Sequence, residues 1–562
     1  MYQPQISPLG PLWLSALVGI IPLVTIFVTL GVLRWKAHIA GLTTLAVSIV
    51  LAIAAWRMPV DLALLSATQG AVFGIFPIVW IVFTAIVLYQ VTVVSGRFED
   101  LRDVFALLSA DPRVQAMLIA FCFGGLLEAL AGFGAPVAIT GVMIMAVGFS
   151  ALRAATVVLL ANTAPVAFGA IAIPIITAGQ LTGIPYTHIG AYVGHQTPVL
   201  AALVPLFLCL LADGVQGIRD CWPVALVTGL AFAFSQWISA TYVSVELTDI
   251  ISSLVGLGAA AVMLRFWQPK GTAEASARLH HDRESELNAM TDAERAALPK
   301  DATASSHRTA LTGGRIAMAL FPYLLVIVVF SAAKLIPDVS KFLASTDLKV
   351  PWPGLDGHLK TVAGAVSKST IYNWQWLSSP GTMLLICAFI VALVYKVSMK
   401  DFWGEIAGTA HKLRFSILTI ASVLALAYVM NFSGMTITIG TFIAATGAAF
   451  AFFSPILGWI GTAVTGSDTS ANALFSTLQQ TAGKTAGIDP TLLVAANTAG
   501  GVVGKMVSPQ NLTIAATAVG LLGRESDILR KVLPWSLGLL FVLCLLIGLQ
   551  STPVLSWMLP KF

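Results

Sequence analysis

The chain has 562 residues, 57% of them hydrophobic and 10% charged, with a formal net charge of +5 and a mean hydropathy of +0.88. Soluble domains carry about 25% charged residues, so the deficit excludes a water-soluble fold and puts most of the chain in lipid. Polytopic chains collect Lys and Arg in their cytoplasmic loops, so the basic balance gives no ground for a nucleic-acid partner.

The first apolar run, 12–33, has no basic segment before it and is too long for a signal peptide, so it is read as a retained membrane helix. Runs of the roughly 20 apolar residues that cross a bilayer follow at 39–56, 70–94, 155–178, 187–212, 222–243 and 249–267. The stretch 114–149 is apolar too, but Gly, Pro and polar residues interrupt it. Residues 268–314 form a polar linker, expected to be cytoplasmic and partly disordered, which divides membrane halves 1–267 and 315–562. The second half holds apolar runs at 315–336, 380–398, 414–432, 491–508 and 532–550, a loop at 337–379 and a second interrupted stretch at 434–480. The expected fold is an all-α polytopic membrane protein with 12 to 16 membrane elements.

Loop charges orient the helices. Arg34 and Lys36 follow the first span and no Lys or Arg precedes it, so the N-terminus is expected outside. Parity then places the 337–379 loop outside as well. Cys122, Cys209, Cys221, Cys387 and Cys544 show no CxxC pairing and read as core residues. His188 and His195 show no ligand spacing, so neither metal nor cofactor is expected.

Two stretches are copies. Residues 161–174 read ANTAPVAFGAIAIP and 496–509 read ANTAGGVVGKMVSP. Upstream, Gly132 opens GFGAPVA and Gly466 opens GSDTSANA at nearly equal distances from Asn162 and Asn497. The counted crossings run the two Asn helices in opposite directions, so repeats 114–178 and 434–523 are expected to be inverted, with broken helices or re-entrant hairpins. Broken helices in hydrocarbon must satisfy their freed backbone groups from neighbours, water or a ligand. A half-helix start presents N–H groups and a positive dipole end to a carboxylate. Candidate binding residues are therefore Gly132, Gly134, Asn162 and Thr163 in the first copy, and Gly466, Ser467, Thr469, Asn472, Asn497 and Thr498 in the second. For any one of these, helix packing is the bland alternative; the duplication favours a site.

Three ionisable residues stand in apolar context: Glu128, Asp468 and Lys505. Charge at membrane depth costs about 2.5–3.5 kcal/mol on insertion scales, so each is a functional candidate. Lys505 has the neutral Ala170 as its counterpart, and a single cation beside a two-fold site suits a monocarboxylate. It could instead pair with Asp468 or snorkel. Glu128 and Asp468 are candidate proton carriers; alternatively Glu128 is a water-exposed helix end and Asp468 binds Na⁺ or Lys505.

The segments CFGGLLEALAGFGAPVAIT (122–140), ANTAPVAFGAIAIPI (161–175), FFSPILGWIGTAVTGSDTSANALF (452–475) and AANTAGGVVGKMVSPQ (495–510) strongly resemble the lactate permease family of bacterial membrane carriers. The resemblance spans nearly the whole chain and fails around 270–310 and 338–375. It implies proton-coupled uptake of L-lactate, with D-lactate and glycolate as further substrates, across an inner membrane. Physics alone requires only a compensating cation: importing an anion against an inside-negative potential costs about 2.3 kcal/mol per 100 mV, and H⁺ or Na⁺ would serve. Carriers of another small carboxylate, an integral membrane enzyme and an anion channel are the competing readings. No Walker, HExxH or GxSxG motif supports an enzyme.

Overall fold

A computed structural model describes the chain except for residues 101–102, 104–107, 133, 292–294, 296–311 and 363. Among the described residues, ten helical stretches are long and apolar enough to cross a membrane, and one bent helix pair adds an eleventh. The first half contains α1 (Leu12–Leu30), α2 (Ala37–Ala54), α3 (Val60–Val94) and α4 (Pro112–Leu130). Next come α5 (Ala135–Val147), α6 (Ala151–Ala161), α7 (Gly169–Thr182), α8 (Tyr186–Val193), α9 (Val204–Ile238) and α10 (Thr248–Phe266). The polar α11 (Thr272–Ala289) leads to α12 (Gly313–Leu335), α13 (Pro337–Ser345) and the antiparallel ribbon of β1 (Leu348–Pro351) with β2 (Ile371–Trp374). The second half continues with α14 (Pro380–Val394), α15 (Met399–Ser433), α16 (Met435–Thr465), α17 (Asp468–Ala486), α18 (Pro490–Gly504), α19 (Pro509–Val519) and α20 (Glu525–Gln550).

Side chains such as Phe234, Val262, Val328 and Phe541 are exposed, as on surfaces that meet acyl chains rather than water. The five cysteines are buried and unpaired by disulfides. Helix α9 is not one rod. The chain reverses at Asp213–Gly214, where Gly214 takes φ +63°. A Cβ on Gly217 would stand 2.2 Å from the Cys209 carbonyl, and one on Gly229 would stand 2.3 Å from that of Ala202. Two antiparallel passes therefore lie within 186–243.

A charge cluster pins the turn. Arg113 is fully buried; it pairs with Asp111 at 2.8 Å, Asp213 at 3.1 Å and Asp220 at 3.0 Å, and donates to the Lys270 carbonyl at 2.6 Å. Asp111 also caps α4 by accepting from Arg113 N, ahead of Pro112 at the first helical position.

The expectation of a partly disordered linker needs correcting over 272–289. Helix α11 docks under the first repeat. Glu286 accepts from the backbone N–H groups of Ala151 (2.7 Å) and Leu152 (3.1 Å), a carboxylate on the positive end of α6. Arg283 donates to the Met145 carbonyl, and Arg278 pairs with Asp213. Linker residues 292–294 and 296–311 lie outside the described residues. On the opposite face, Tyr2 exchanges backbone hydrogen bonds with His358 and Lys360, so the N-terminus and the 337–379 loop lie on one side.

The two sequence copies do not break alike. Helix α6 stops at Ala161 and turns through Asn162–Pro165, because Pro165 has no N–H and restricts the residue before it. Ala170, Ile171 and Ala172 then take positive φ. In the second copy Gly500 replaces Pro165, so α18 stays helical through Asn497 to Gly504 and breaks only at Lys505–Ser508. Gly458, Gly500 and Gly504 let α16 and α18 touch backbone to backbone: a Cβ on Gly500 would lie 1.9 Å from the Pro455 carbonyl oxygen, the close approach that small residues permit in membranes.

Candidate functional site

Two helical hairpins carry their turns into the protein interior. The first is α4–α5. Its ends lie on one side, since Arg113 reaches Lys270 and Met145 is held by Arg283. With 13 residues, α5 spans about 20 Å at 1.5 Å per residue, short of the ~30 Å hydrocarbon. Its turn contains Gly132 and Gly134, the latter at φ +89°, a left-handed conformation that a Cβ disfavours. The second hairpin is α16–α17, turning at Gly466 (φ +76°) and Ser467. Ser467 caps α17 by accepting from Ser470 N at 3.3 Å.

The turns face each other across a cavity of about 30 Å³ lined by Glu128, Gly132, Gly466, Ser467, Asp468 and Lys505, with Thr469 beside them. That is room for one water and not for an organic anion. Within it Lys505 Nζ donates to Glu128 Oε1 at 2.6 Å, and Asn162 Nδ2 donates to Glu128 Oε2 at 2.9 Å. Gly169 makes room for the carboxylate: a Cβ there would stand 2.8 Å from Oε1. Lys505 therefore pairs with Glu128 rather than with Asp468. Glu128 is buried, which removes the reading of a water-exposed helix end.

Asp468 is also buried. Its Oδ1 lies 3.5 Å from Thr462 Oγ1, and Oδ2 has no hydrogen-bond partner among the described residues. Gly501 permits this, because a Cβ there would come within 1.9 Å of Oδ1. Asn162 and Thr163 line a tight crevice on the other side of Lys505, with Asn511 opposite. Thr163 Oγ1 donates back to the Leu160 carbonyl.

The remaining sequence candidates do not line the 30 Å³ cavity. Gly134 packs beneath Ile514 of α19. Asn472 Oδ1 accepts from Asn497 Nδ2 at 2.9 Å and Thr498 Oγ1 at 3.0 Å, and Asn472 Nδ2 donates to the Pro174 carbonyl at 3.2 Å. These three side chains satisfy one another and tie the second hairpin to the first broken element.

Sequence reasoning missed Asp249. It is fully buried on α10, and neither carboxyl oxygen has a hydrogen-bond partner among the described residues. Asp249 falls at the first position of an apparently ordinary span and so reads as a helix end. The signal was the stripe Asp249, Ser253, Gly256 at i, i+4 and i+7, a polar and small face in an apolar helix. Among the described residues no group of three His, Cys, Asp or Glu side chains could hold a metal ion.

The chain matches the family model described as L-lactate permease over residues 15–554. It is 42% identical over 570 residues to the L-lactate permease of Bacillus subtilis, covering 98% of each chain. Identity is 41% over 553 residues to the glycolate permease GlcA of Escherichia coli, covering 97% of each. It is 38% over 569 residues to the L-lactate permease of Escherichia coli, covering 100% of each.

Proposed function

The chain belongs to the L-lactate permease family, and from that premise we propose that it imports L-lactate, and also D-lactate and glycolate, together with protons. One observation carries the coupling mechanism: the cation suited to the substrate carboxylate is already paired with a carboxylate of the protein, Lys505 with Glu128 at 2.6 Å. Substrate and Glu128 compete for one ammonium group. A proton on Glu128 removes its charge and releases Lys505 to the lactate carboxylate. The pair Lys⁺/Glu⁻ becomes Lys⁺/lactate⁻/GluH, so the site is neutral empty and neutral loaded. A buried charge stripped of its partner costs several kcal/mol, which disfavours crossing with the anion alone or the proton alone.

Asn162, released from Glu128 in the loaded state, and Thr163 read the 2-hydroxyl. The N–H groups at Gly132 and at the Gly466–Ser467 turn support the carboxylate. Asn497 and Thr498 enter only if the Asn472 linkage opens. Asp468 is a second proton site, used where the cycle moves more than one proton. The two hairpins act as inverted repeats that open the site alternately to each side.

The test is uptake of labelled L-lactate by proteoliposomes under an imposed pH gradient, with and without Na⁺, and with glycolate and pyruvate as competitors. Accumulation is expected with the pH gradient alone and competition from glycolate. Accumulation that needs Na⁺ replaces the coupling ion, and gradient-independent equilibration alone replaces the symporter by a channel. In Glu128→Gln, pH-driven accumulation is expected to vanish while exchange of labelled lactate survives in part. Wild-type accumulation by that variant removes Glu128 from the mechanism.

A further inference from the structure

Beyond Glu128, Lys505 and Asp468, the first half buries a third carboxyl group, and its position bears on how protons reach Glu128. Three passes meet the Arg113 end: α4 and the second arm of α9 run away from it, and α10 returns towards it. Glu128 lies 15 residues beyond Arg113 on α4, Gln236 lies 16 beyond Asp220 on α9, and Asp249 lies 16 before Arg265 on α10. At 1.5 Å per residue each side chain sits about 22–24 Å above that end. The facing is set by a close contact. A Cβ on Gly125 would fall 2.3 Å from Ser253 Oγ, so Gly125 of α4 lies directly against Ser253 of α10. The helices are antiparallel, so the next turn brings Glu128, three residues on, opposite Asp249, four residues back.

The surroundings of Asp249 are polar but leave its side chain without an ion pair among the described residues. Both of its oxygens, Ser253 Oγ and Gln236 Oε1 are buried without hydrogen-bond partners among the described residues. The Gln236 carboxamide lies beside Asp249, and its Nε2 donates to the Ala164 carbonyl in the first break. The charged groups in electrostatic reach are Glu128 and Lys505. Of the other elements packed on α10, α7 has no ionisable residue and residues 118–123 bring only the Cys122 thiol, against Gly256. The 239–243 turn brings only the exposed Tyr242. Asp249 makes no ion pair among these groups, and as a carboxylic acid it has the neighbouring Gln236 carboxamide as an acceptor.

We propose that Asp249 is a proton-binding residue of the transport cycle that delivers its proton to Glu128 as substrate arrives, a step that rests on the symport reading above. The O–H bond at Asp249 breaks as one forms on a Glu128 carboxyl oxygen, relayed by a water or by closer approach of the two helices, because the two carboxyl groups share no hydrogen bond in this state. Glu128 becomes neutral, Lys505 passes to the incoming carboxylate, and Asp249 carries the negative charge until a proton from the substrate-entry side restores it. One proton enters per anion, and the charge balances at the end of the step.

Asp249→Asn and Asp249→Glu are compared with wild type in proteoliposomes for pH-driven accumulation and for exchange of labelled L-lactate. In Asp249→Asn the ratio of accumulation to exchange is expected to fall at least tenfold, and in Asp249→Glu to return to within about threefold of wild type with a displaced pH dependence. A structural role predicts the reverse, with the isosteric Asn tolerated and the longer Glu not. The proposal is overturned by accumulation in Asp249→Asn at the wild-type ratio, or by equal loss of both activities with no recovery in Asp249→Glu. If Asp249→Asn does not fold, Asp249→Glu decides alone: accumulation with a displaced pH profile supports the proposal, and an unchanged profile or no accumulation overturns it. Failure of the wild type itself to accumulate lactate under the pH gradient is a separate outcome and overturns the symport reading first.

Discussion

Glu128 and Lys505 are 377 positions apart in the chain, and their charged atoms meet at 2.6 Å. Each comes from a different broken element, one from the arm of the first hairpin and one from the end of α18. In this state the contact occupies the Lys505 ammonium.

Lys505→Met is expected to reduce both exchange and accumulation of labelled lactate at least a hundredfold, since the variant keeps Glu128 and loses the one cation among the described residues of the cavity lining. Removing one partner of a buried pair costs about 3–5 kcal/mol, so the variant also unfolds at lower temperature. In the double variant Glu128→Gln/Lys505→Met most of that thermal loss is recovered without transport. Equal thermal loss in the single and double variants contradicts the direct pairing.

Gly500→Ala tests the seam between α16 and α18. Its new methyl group would stand 1.9 Å from the Pro455 carbonyl oxygen. Backbone cannot yield as a side chain does, so destabilisation at or above the usual ~1–3 kcal/mol of overpacking is expected. Thermal unfolding in detergent reads it, with Gly404→Ala as a control, because nothing lies within 4 Å of the corresponding Cβ.

Arg113→Met should be among the most damaging substitutions away from the cavity. It leaves Asp111, Asp213 and Asp220 facing one another without their shared cation. A loss of about 3–5 kcal/mol is expected, measured as reduced yield of folded protein and a lowered melting temperature. Arg113→Lys recovers little, because a single ammonium cannot reproduce the forked contacts of a guanidinium.

Glu286→Ala probes the docked linker helix. Loss of the two backbone contacts at the start of α6 is expected to cost about 0.5–2 kcal/mol, the range for helix caps. Limited proteolysis should then cut within 272–289 sooner than in wild type. Unchanged protection of that segment means that the remaining contacts hold α11 without Glu286.

The membrane segments, the two interrupted stretches and the residues at both turns were legible because lipid imposes a coarse rule: polar or helix-breaking residues persist there only for a reason. That rule singled out Glu128, Asp468 and Lys505. It passed over Asp249, which the length of an apolar run assigns to a helix end although the surrounding protein buries it completely. It also misjudged 272–289: the composition is that of a solvated linker, yet Glu286, Arg283 and Arg278 each find a partner on the membrane domain.

By itself the sequence determined that the chain lives in lipid, that it contains one motif twice, and which few ionisable groups interrupt the apolar background. These follow from local composition, which a nonpolar solvent constrains residue by residue. The tertiary structure alone decided that Lys505 meets Glu128 rather than Asp468, and that Asn472, Asn497 and Thr498 bond one another away from the cavity. It also decided that the two copies break at different points. Those outcomes depend on which helices become neighbours and on where a missing N–H or a missing Cβ lets the backbone turn or approach, and neither can be read from one segment alone.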